Sequence, residues 1–456
     1  MAKELDRKAF LLEASSARLM VSLSLPAIIG MVVIGLYTFV DAIYAGQLIS
    51  TDAMGAVSIA YPFTFINTGI ACLIGMGSAS VLSRAIGAGQ QETIDRVMGN
   101  LVAMNLILSV IVMIIGIIFA KPLLALTGAE GEMLDLATSY LQVIFCGSLF
   151  VNFAQSSNMV MRGEGIMVKA MAIMGGGAIL NMILSPVFIL MMRDAGLGLQ
   201  GAGIATVISQ FAQAAVMLWW FVKKEEVARI HRIGLSSEVL PEVVKVGVSA
   251  MLMQVLTLVQ QAVIYRAASY WGGAEWQILF GAALRIQAFS FIPLWGMSNG
   301  LQPAVGTNFG ARRYKRVRRI MASFCLGATA LCFVFWIPAM IAPDVLLSWF
   351  ITEQDLVAMG VDCFRLFFAP FFLYGIMIMA ITFLQSIGQG GKAAILTMAR
   401  PLVLFVPMVL LVPSLTGTGI YGVWFACVLT DVLVLVVAIA MVLVSLRKMG
   451  SEQHGY

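Results

Sequence analysis

Twelve stretches, each long and apolar enough to cross a lipid bilayer, follow one another along this chain with little between them. They run near 18–48, 54–82, 97–120, 134–160, 169–192, 200–222, 242–266, 277–307, 320–341, 360–386, 393–413 and 419–446. A spanning helix needs about 20 mostly apolar residues. Strands of a membrane barrel would alternate apolar and polar residues over about ten positions. Here runs such as 101–120 and 432–445 are apolar on every side, as buried or lipid-facing helices are. Of 456 residues, 61% are apolar and 11% charged, whereas soluble domains carry roughly 45–50% and about 25%. A surface with so few charges faces lipid. That excludes a cytosolic enzyme, a nucleic-acid binder and a secreted disulfide scaffold.

Charge placement orients the spans. Twenty-two of the 28 Lys and Arg residues fall on the side of the N-terminus, three (Lys121, Arg193, Arg266) on the other, and Arg285, Arg365 and Arg400 within spans. By the positive-inside rule both termini are cytoplasmic. The basic run 312–319 reads as a topology anchor against the anionic inner leaflet, with no nucleic acid implied. The apolar run after residue 18 is too long for a signal peptide, so no cleaved leader is expected. Cys72, Cys146, Cys325, Cys332, Cys363 and Cys427 sit in apolar surroundings without a CxxC pair. They read as small buried hydrophobes, not as a disulfide framework or metal site. His231 and His454 lie outside the spans. Proton chemistry at membrane depth therefore falls to carboxylates.

The chain also repeats. IGAGQQ at 86–91 parallels FGARRY at 309–314, and Gly77 parallels Gly300, at an offset of 223. Gly163 and Gly165 parallel Gly388 and Gly390 at 225, and Gly203 parallels Gly422 at 219. Six spans per half put both halves in the same orientation, as parallel repeats about an axis along the membrane normal. The expected organisation is all-α: an N-lobe (1–222), a polar cytoplasmic linker (223–240) and a C-lobe (241–456), with a central cleft between the lobes.

Charges within lipid are costly, so each is a functional candidate. Asp41 lies deep in the first span with Tyr37 one helical turn before it. A carboxylate held in low dielectric can load and release a proton near neutral pH. Asn181 and Ser185 stand four residues apart, as do Thr206 and Gln210, and Asn158 precedes Arg162 by four. Polar pairs of this kind serve as interhelical glue or as a site. Asp431 is the one acid of the last span, with Arg285 and Arg400 inside the eighth and eleventh. Two roles fit Asp431: a structural lock with an arginine, or a substrate or proton site. Asp362 and Arg365 read as an interfacial ion pair. Thirty Met and 27 Phe residues are suited to walls that adapt to varied lipophilic ligands. The glycine-rich GMGSAS near residue 75 lies at membrane depth and reads as close helix packing, not as a phosphate loop. A secondary transporter is the natural class.

The ensemble of segments resembles the multidrug and toxic compound extrusion (MATE) family over residues 18–446, and within it the branch of DinF-type and MepA-type proteins. The segments are SLPAIIG (24–30), LYTFVDAIYAG (36–46), SRAIGAG (83–89), MRGEG (161–165), LNMILSP (180–186), GAGIATVISQ (201–210), GTNFGARR (306–313), LQSIGQG (384–390) and GIYGVWFACVLTD (419–431). The resemblance implies twelve helices in two six-helix lobes around a V-shaped cleft. It implies export of organic cations and lipophilic drugs against H⁺ or Na⁺ by alternating access. No enzyme activity and no cofactor beyond the coupling ion are implied. The setting would be a bacterial cytoplasmic membrane, and the unit a monomer. By the same resemblance Asp41 would be the coupling carboxylate, with Tyr37, Asn158, Asn181 and Thr206 around it. Pro26 would be the place where the first helix bends. Relatives often carry Asp where this chain has Ser185. A single carboxylate among neutral oxygens holds Na⁺ less tightly, which favours H⁺ and leaves Na⁺ at Asp41 as the alternative. The seventh span offers Gln254, Gln260 and Gln261 where another branch uses an acid, so Asp431, Arg285 and Gln260 form the candidate C-lobe site. A lipid-linked oligosaccharide flippase of the same superfamily is the second functional class considered. The few deep charges and the anionic Asp41 favour cationic cargo over it.

Overall fold

A computed structural model of the chain describes residues 2–44, 48, 49, 51–125, 131–224, 227–351 and 353–452. The side chains at 2–7, 36–39, 41–43, 51–55, 58, 59, 132, 133, 258, 274 and 450–452 lie outside that description. The elements are helices. The first half holds α1 (Ala2–Glu13), α2 (Ser16–Tyr44), α3 (Thr51–Ala88), α4 (Gln91–Ala125), α5 (Gly131–Cys146), α6 (Ser148–Gly163), α7 (Met167–Arg193) and α8 (Gly198–Trp219), with a π-helical turn Trp220–Lys224. The second holds α9 (Val239–Gly272), α10 (Ala274–Gly310), α11 (Tyr314–Ile341), α12 (Pro343–Ser348), α13 (Gln354–Phe368), α14 (Phe371–Ser386) and α15 (Gly390–Met398). A π-helical stretch, Ala399–Phe405, then leads into α16 (Val406–Thr416), and α17 (Ile420–Glu452) follows.

Ten spans among the described residues are long and apolar enough to cross a membrane. Two bent pairs, Leu134–Cys146 with Ser148–Gly163 (54°) and Gln354–Phe368 with Phe371–Ser386 (40°), raise the number to twelve when each is one span. Each of the twelve apolar stretches falls on one of these. Leu326, Ile118, Met191 and Val436 point outward and exposed. An apolar exterior of this extent is solvated by lipid tails, and helices satisfy their backbone polar groups internally there. Cys146 is exposed and so faces outward rather than into the core, while Cys325 is half-buried against the core.

The repeat is written into the backbone. The bends fall at Gly147 and at Pro370, 223 residues apart. Proline gives up a helix hydrogen bond. At Gly147 a Cβ would come within 2.8 Å of Val207 on α8, so only glycine allows that approach. Left-handed backbone recurs at the same interval: Gly89 with Arg312, Gly165 with Gly388, and Gly196 with Gly419. The structural register thus pairs Gly165 with Gly388, correcting the offset of 225 that the sequence alignment suggested for this loop.

The halves meet where α3 and α10 approach at the ends that carry the basic residues. A Cβ on Gly87 would lie 2.0 Å from the Thr307 carbonyl oxygen, and one on Gly310 2.0 Å from the Arg84 carbonyl oxygen. Gly87 and Gly310 are repeat mates, as are Arg84 and Thr307, so the contact is reciprocal. Arg84 also pairs with Glu242 of α9 at 3.3 Å. Ser80 Oγ donates to the Gln385 carbonyl (2.5 Å), and Gln302 Nε2 to the Met76 carbonyl (3.3 Å). Gly87→Ala must push two backbones apart, and overpacking of this kind costs about 1–3 kcal/mol. The expected result is a lower thermal midpoint of monodisperse protein in detergent. Gly176→Ala, with nothing within 4 Å of its new Cβ, should leave it unchanged.

Candidate functional site

In the first half, α7 and α8 bring three of the expected residues together. Asn181 Nδ2 donates to Thr206 Oγ1 (3.1 Å), and Ser185 Oγ donates to Asn181 Oδ1 (3.2 Å). Thr206 Oγ1 also donates to the Ala202 carbonyl one turn back (3.1 Å). All three side chains are buried. The spacing explains the first step: Asn181 and Ser185 share a face of α7 one turn apart.

α2 lies against α7, with the Cβ position of Gly175 3.8 Å from Val33 Cγ1. The two helices run the same way, and each rises about 1.5 Å per residue. Asp41 lies eight residues further along α2 than that contact. The side chains of Asp41 and Tyr37 lie outside the described residues. Asn158 goes elsewhere: its Nδ2 donates to the Ala170 carbonyl (2.6 Å), tying α6 to the first turn of α7. Its spacing from Arg162 did not indicate this. Pro26 sits inside an unbroken α2. On either side of it α10 comes close, Gly300 against Leu23 and Ser24, and Gly296 against Ile28.

A second buried polar chain was not anticipated. Asn152 Nδ2 on α6 donates to Ser109 Oγ (2.9 Å) and to Asn67 Oδ1 on α3 (3.4 Å). Ser109 Oγ donates to Asn105 Oδ1 one turn back on α4 (3.1 Å). The four-residue spacing of Asn105 and Ser109 was the available signal.

In the second half, four helical segments converge on Asp431 of α17. Arg400 Nε, from the π-helical stretch, donates to Asp431 Oδ1 (2.8 Å), and the Tyr374 hydroxyl of α14 donates to Oδ2. Arg400 Nη2 donates to the Tyr374 hydroxyl (2.9 Å) and Nη1 to Gln260 Oε1 of α9 (3.0 Å). The guanidinium also lies 5.3 Å from the Tyr374 ring centre. Asp431 is buried, with 6% of its side chain exposed, and Arg400 keeps 20%. The pair is neutral as a whole, and every oxygen of the carboxylate has a donor. Of the two arginines within reach by sequence, Arg400 is the partner. Arg285 is exposed on α10 and makes none of these contacts. Tyr374 was missed. Asp362 and Arg365 pair at 3.7 Å but stay exposed, where such pairs add little.

A groove of about 440 Å³ is lined by Val263, Arg266, Ala267, Tyr270, Trp271 and Leu410. All six belong to α9 and α16, so it belongs to one half and not to the space between the halves.

The MatE family profile matches residues 26–187 and 249–411. The chain is 26% identical over 420 residues to "Multidrug export protein MepA" of Staphylococcus aureus (strain MSSA476), covering 91% of this chain and 92% of that protein. It is 25% identical over 421 residues to the protein of the same name from Staphylococcus saprophyticus, with the same coverage. Among solved structures, it is similar to an outward-facing multidrug resistance MATE family transporter of the MOP superfamily. The TM-score there is 0.90 at 26% identity, over 96% of this chain and 98% of the other. It is also similar to a MATE in the bent conformation, with a TM-score of 0.91 at 26% identity over 98% of both chains.

Proposed function

This chain belongs to the MatE family, and from that premise we propose that it is a secondary active multidrug exporter. It moves lipophilic organic cations out of the cell against an inward flow of H⁺, as a monomer in a bacterial cytoplasmic membrane. The observation that carries the reading is the buried, hydrogen-bonded set of Asn181, Ser185 and Thr206 on α7 and α8, with α2, the helix of Asp41, packed against α7. One deep acid beside neutral oxygens is suited to a proton. The two halves act as N-lobe and C-lobe, with the polar segment 223–240 as linker. Hydrogen bonds between them reach from the basic face to about mid-depth, where Gln254 Nε2 of α9 lies 3.7 Å from Cys72 Sγ of α3. That pattern supports a cleft closed on the basic, cytoplasmic face. Protonation of Asp41, with α2 flexing at Pro26 beside Gly296 and Gly300, then exchanges the open side.

Cells stripped of their own efflux pumps and expressing the chain should accumulate less ethidium and resist it better. Unchanged accumulation at normal abundance would refute drug export, and loss of a lipid-linked sugar from the inner leaflet would point to a flippase. Ser185→Asp places a second carboxylate beside Asn181. Anionic oxygens raise affinity for hard cations, so this variant should gain Na⁺-stimulated efflux that the parent lacks.

A further inference from the structure

The segment that precedes the first membrane helix of each half is docked on the opposite half. α1 ends against the second half. Its Leu11 carbonyl accepts from Asn308 Nδ2 (2.9 Å), its Leu12 carbonyl from Arg313 Nη1 (2.8 Å), and the Ala14 carbonyl from an Arg316 Nη. A helix C-terminus leaves carbonyls without in-helix donors and carries partial negative charge. Here one amide and two guanidinium groups some 300 residues away in sequence meet them. Leu11 is buried in an apolar cluster built mostly from the second half, which also takes in Leu19 and Leu23 of α2. α1 also touches loops of the first half. A Cβ on Gly165 would lie 3.5 Å from the Leu11 side chain, and one on Gly89 3.9 Å from Lys8 Nζ.

The corresponding segment before α9 does the reverse. Val227 and Ala228 are buried in the core of the first half, together with Val239 and Val243 of the first turns of α9. A Cβ on Gly99 of α4 would meet the Arg232 carbonyl at 1.8 Å, so glycine lets the segment lie on that helix. The Ser236 N–H donates to Asn100 Oδ1 (3.1 Å), and Arg96 Nη1 to Glu238 Oε2 (2.7 Å). α4 and α11 are repeat mates, so the two dockings mirror each other across the axis relating the halves.

We propose that these two segments are paired straps that gate the basic face. Docked, they bind each half to the other there. For that face to open, both leave their sites. Their bonds are mostly part-buried, from the exposed Arg96–Glu238 pair to the buried Asn308–Leu11 contact, and each strap has only a few apolar anchors, Leu11 in one and Val227 and Ala228 in the other, so a strap can release without unfolding a lobe. The proposal rests on the alternating-access reading above, but its test needs neither drug nor gradient. A failure in either experiment therefore leaves the other readable.

The reporter is the native Cys72, buried on α3 behind Gln254 of the other half. A membrane-impermeant maleimide is applied to the basic face of vesicles, and labelling at Cys72 is followed by peptide mass spectrometry. Arg313→Ala/Arg316→Ala and, separately, Asn100→Ala should each speed labelling about tenfold, within the range of ordinary coupling between two states. An unchanged rate in both variants overturns the proposal. The native chain supplies a check that needs no variant. Hydrogen exchange at 8–14 and at 230–238 should rise together in whichever of acid or alkaline buffer labels Cys72 faster. Persistent protection of the straps while Cys72 labels rapidly would also overturn it.

Discussion

Asp41→Asn is expected to give a folded, membrane-inserted protein whose gradient-driven export falls to the level of membranes lacking it. The substitution keeps the volume of the side chain and imitates its protonated form permanently. A coupled exporter needs the site to hold a proton in one lobe arrangement and release it in the other. A group that cannot titrate removes that cycle and not the fold. Drug binding should persist in part, since the apolar walls and the Ser185–Asn181–Thr206 chain are untouched. Export at the normal rate under a pH gradient would make Asp41 structural and leave Asp431 as the leading coupling candidate. Ethidium transport by energised membrane vesicles, with abundance checked in the same membranes, decides between them.

The second large effect falls on stability. Asp431→Ala strands the Arg400 guanidinium among four helical segments with only Gln260 and Tyr374 beside it. Breaking one side of a buried ion pair costs about 3–5 kcal/mol, whereas replacing both partners by apolar residues is often nearly neutral. Asp431→Ala should therefore lower the thermal midpoint sharply, while Arg400→Met/Asp431→Leu recovers most of the loss. Equal losses in the single and double variants would mean that the pair does not hold these helices together. If the double variant is stable yet fails to export, the cluster belongs to the transport cycle as well as to the scaffold.

Much of the fold was legible because the lipid bilayer reads hydropathy directly. Each apolar stretch became a span, and the repeated glycines marked the axis between the halves. The bends at Gly147 and Pro370 were less visible, since an apolar run has the same hydropathy straight or bent. At the sites, spacing along one helix was reliable: Asn181 and Ser185 do share a face. Spacing carries no information on the rotation of one helix against another. Arg285 and Arg400 were therefore equivalent partners for Asp431 in sequence, and only packing turns one of them away. Tyr374 hid in a phenylalanine-rich segment, where its hydroxyl looked incidental. Arg313 and Arg316 read as charges placed for topology. That their guanidinium groups cap a helix near the other end of the chain depends on contacts that charge counting cannot contain. Arg318 likewise donates to the Leu446 carbonyl of α17 at 2.7 Å.

In the proposed mechanism, downhill movement of a proton drives export of an organic cation. It is tested most directly with the purified chain in liposomes loaded to give either a pH gradient or a Na⁺ gradient of equal size, with a fluorescent cation outside. An acidic lumen should drive uptake of the cation together with alkalinisation of the lumen, and a Na⁺ gradient at equal pH should do neither. Cation movement indifferent to both gradients would contradict it.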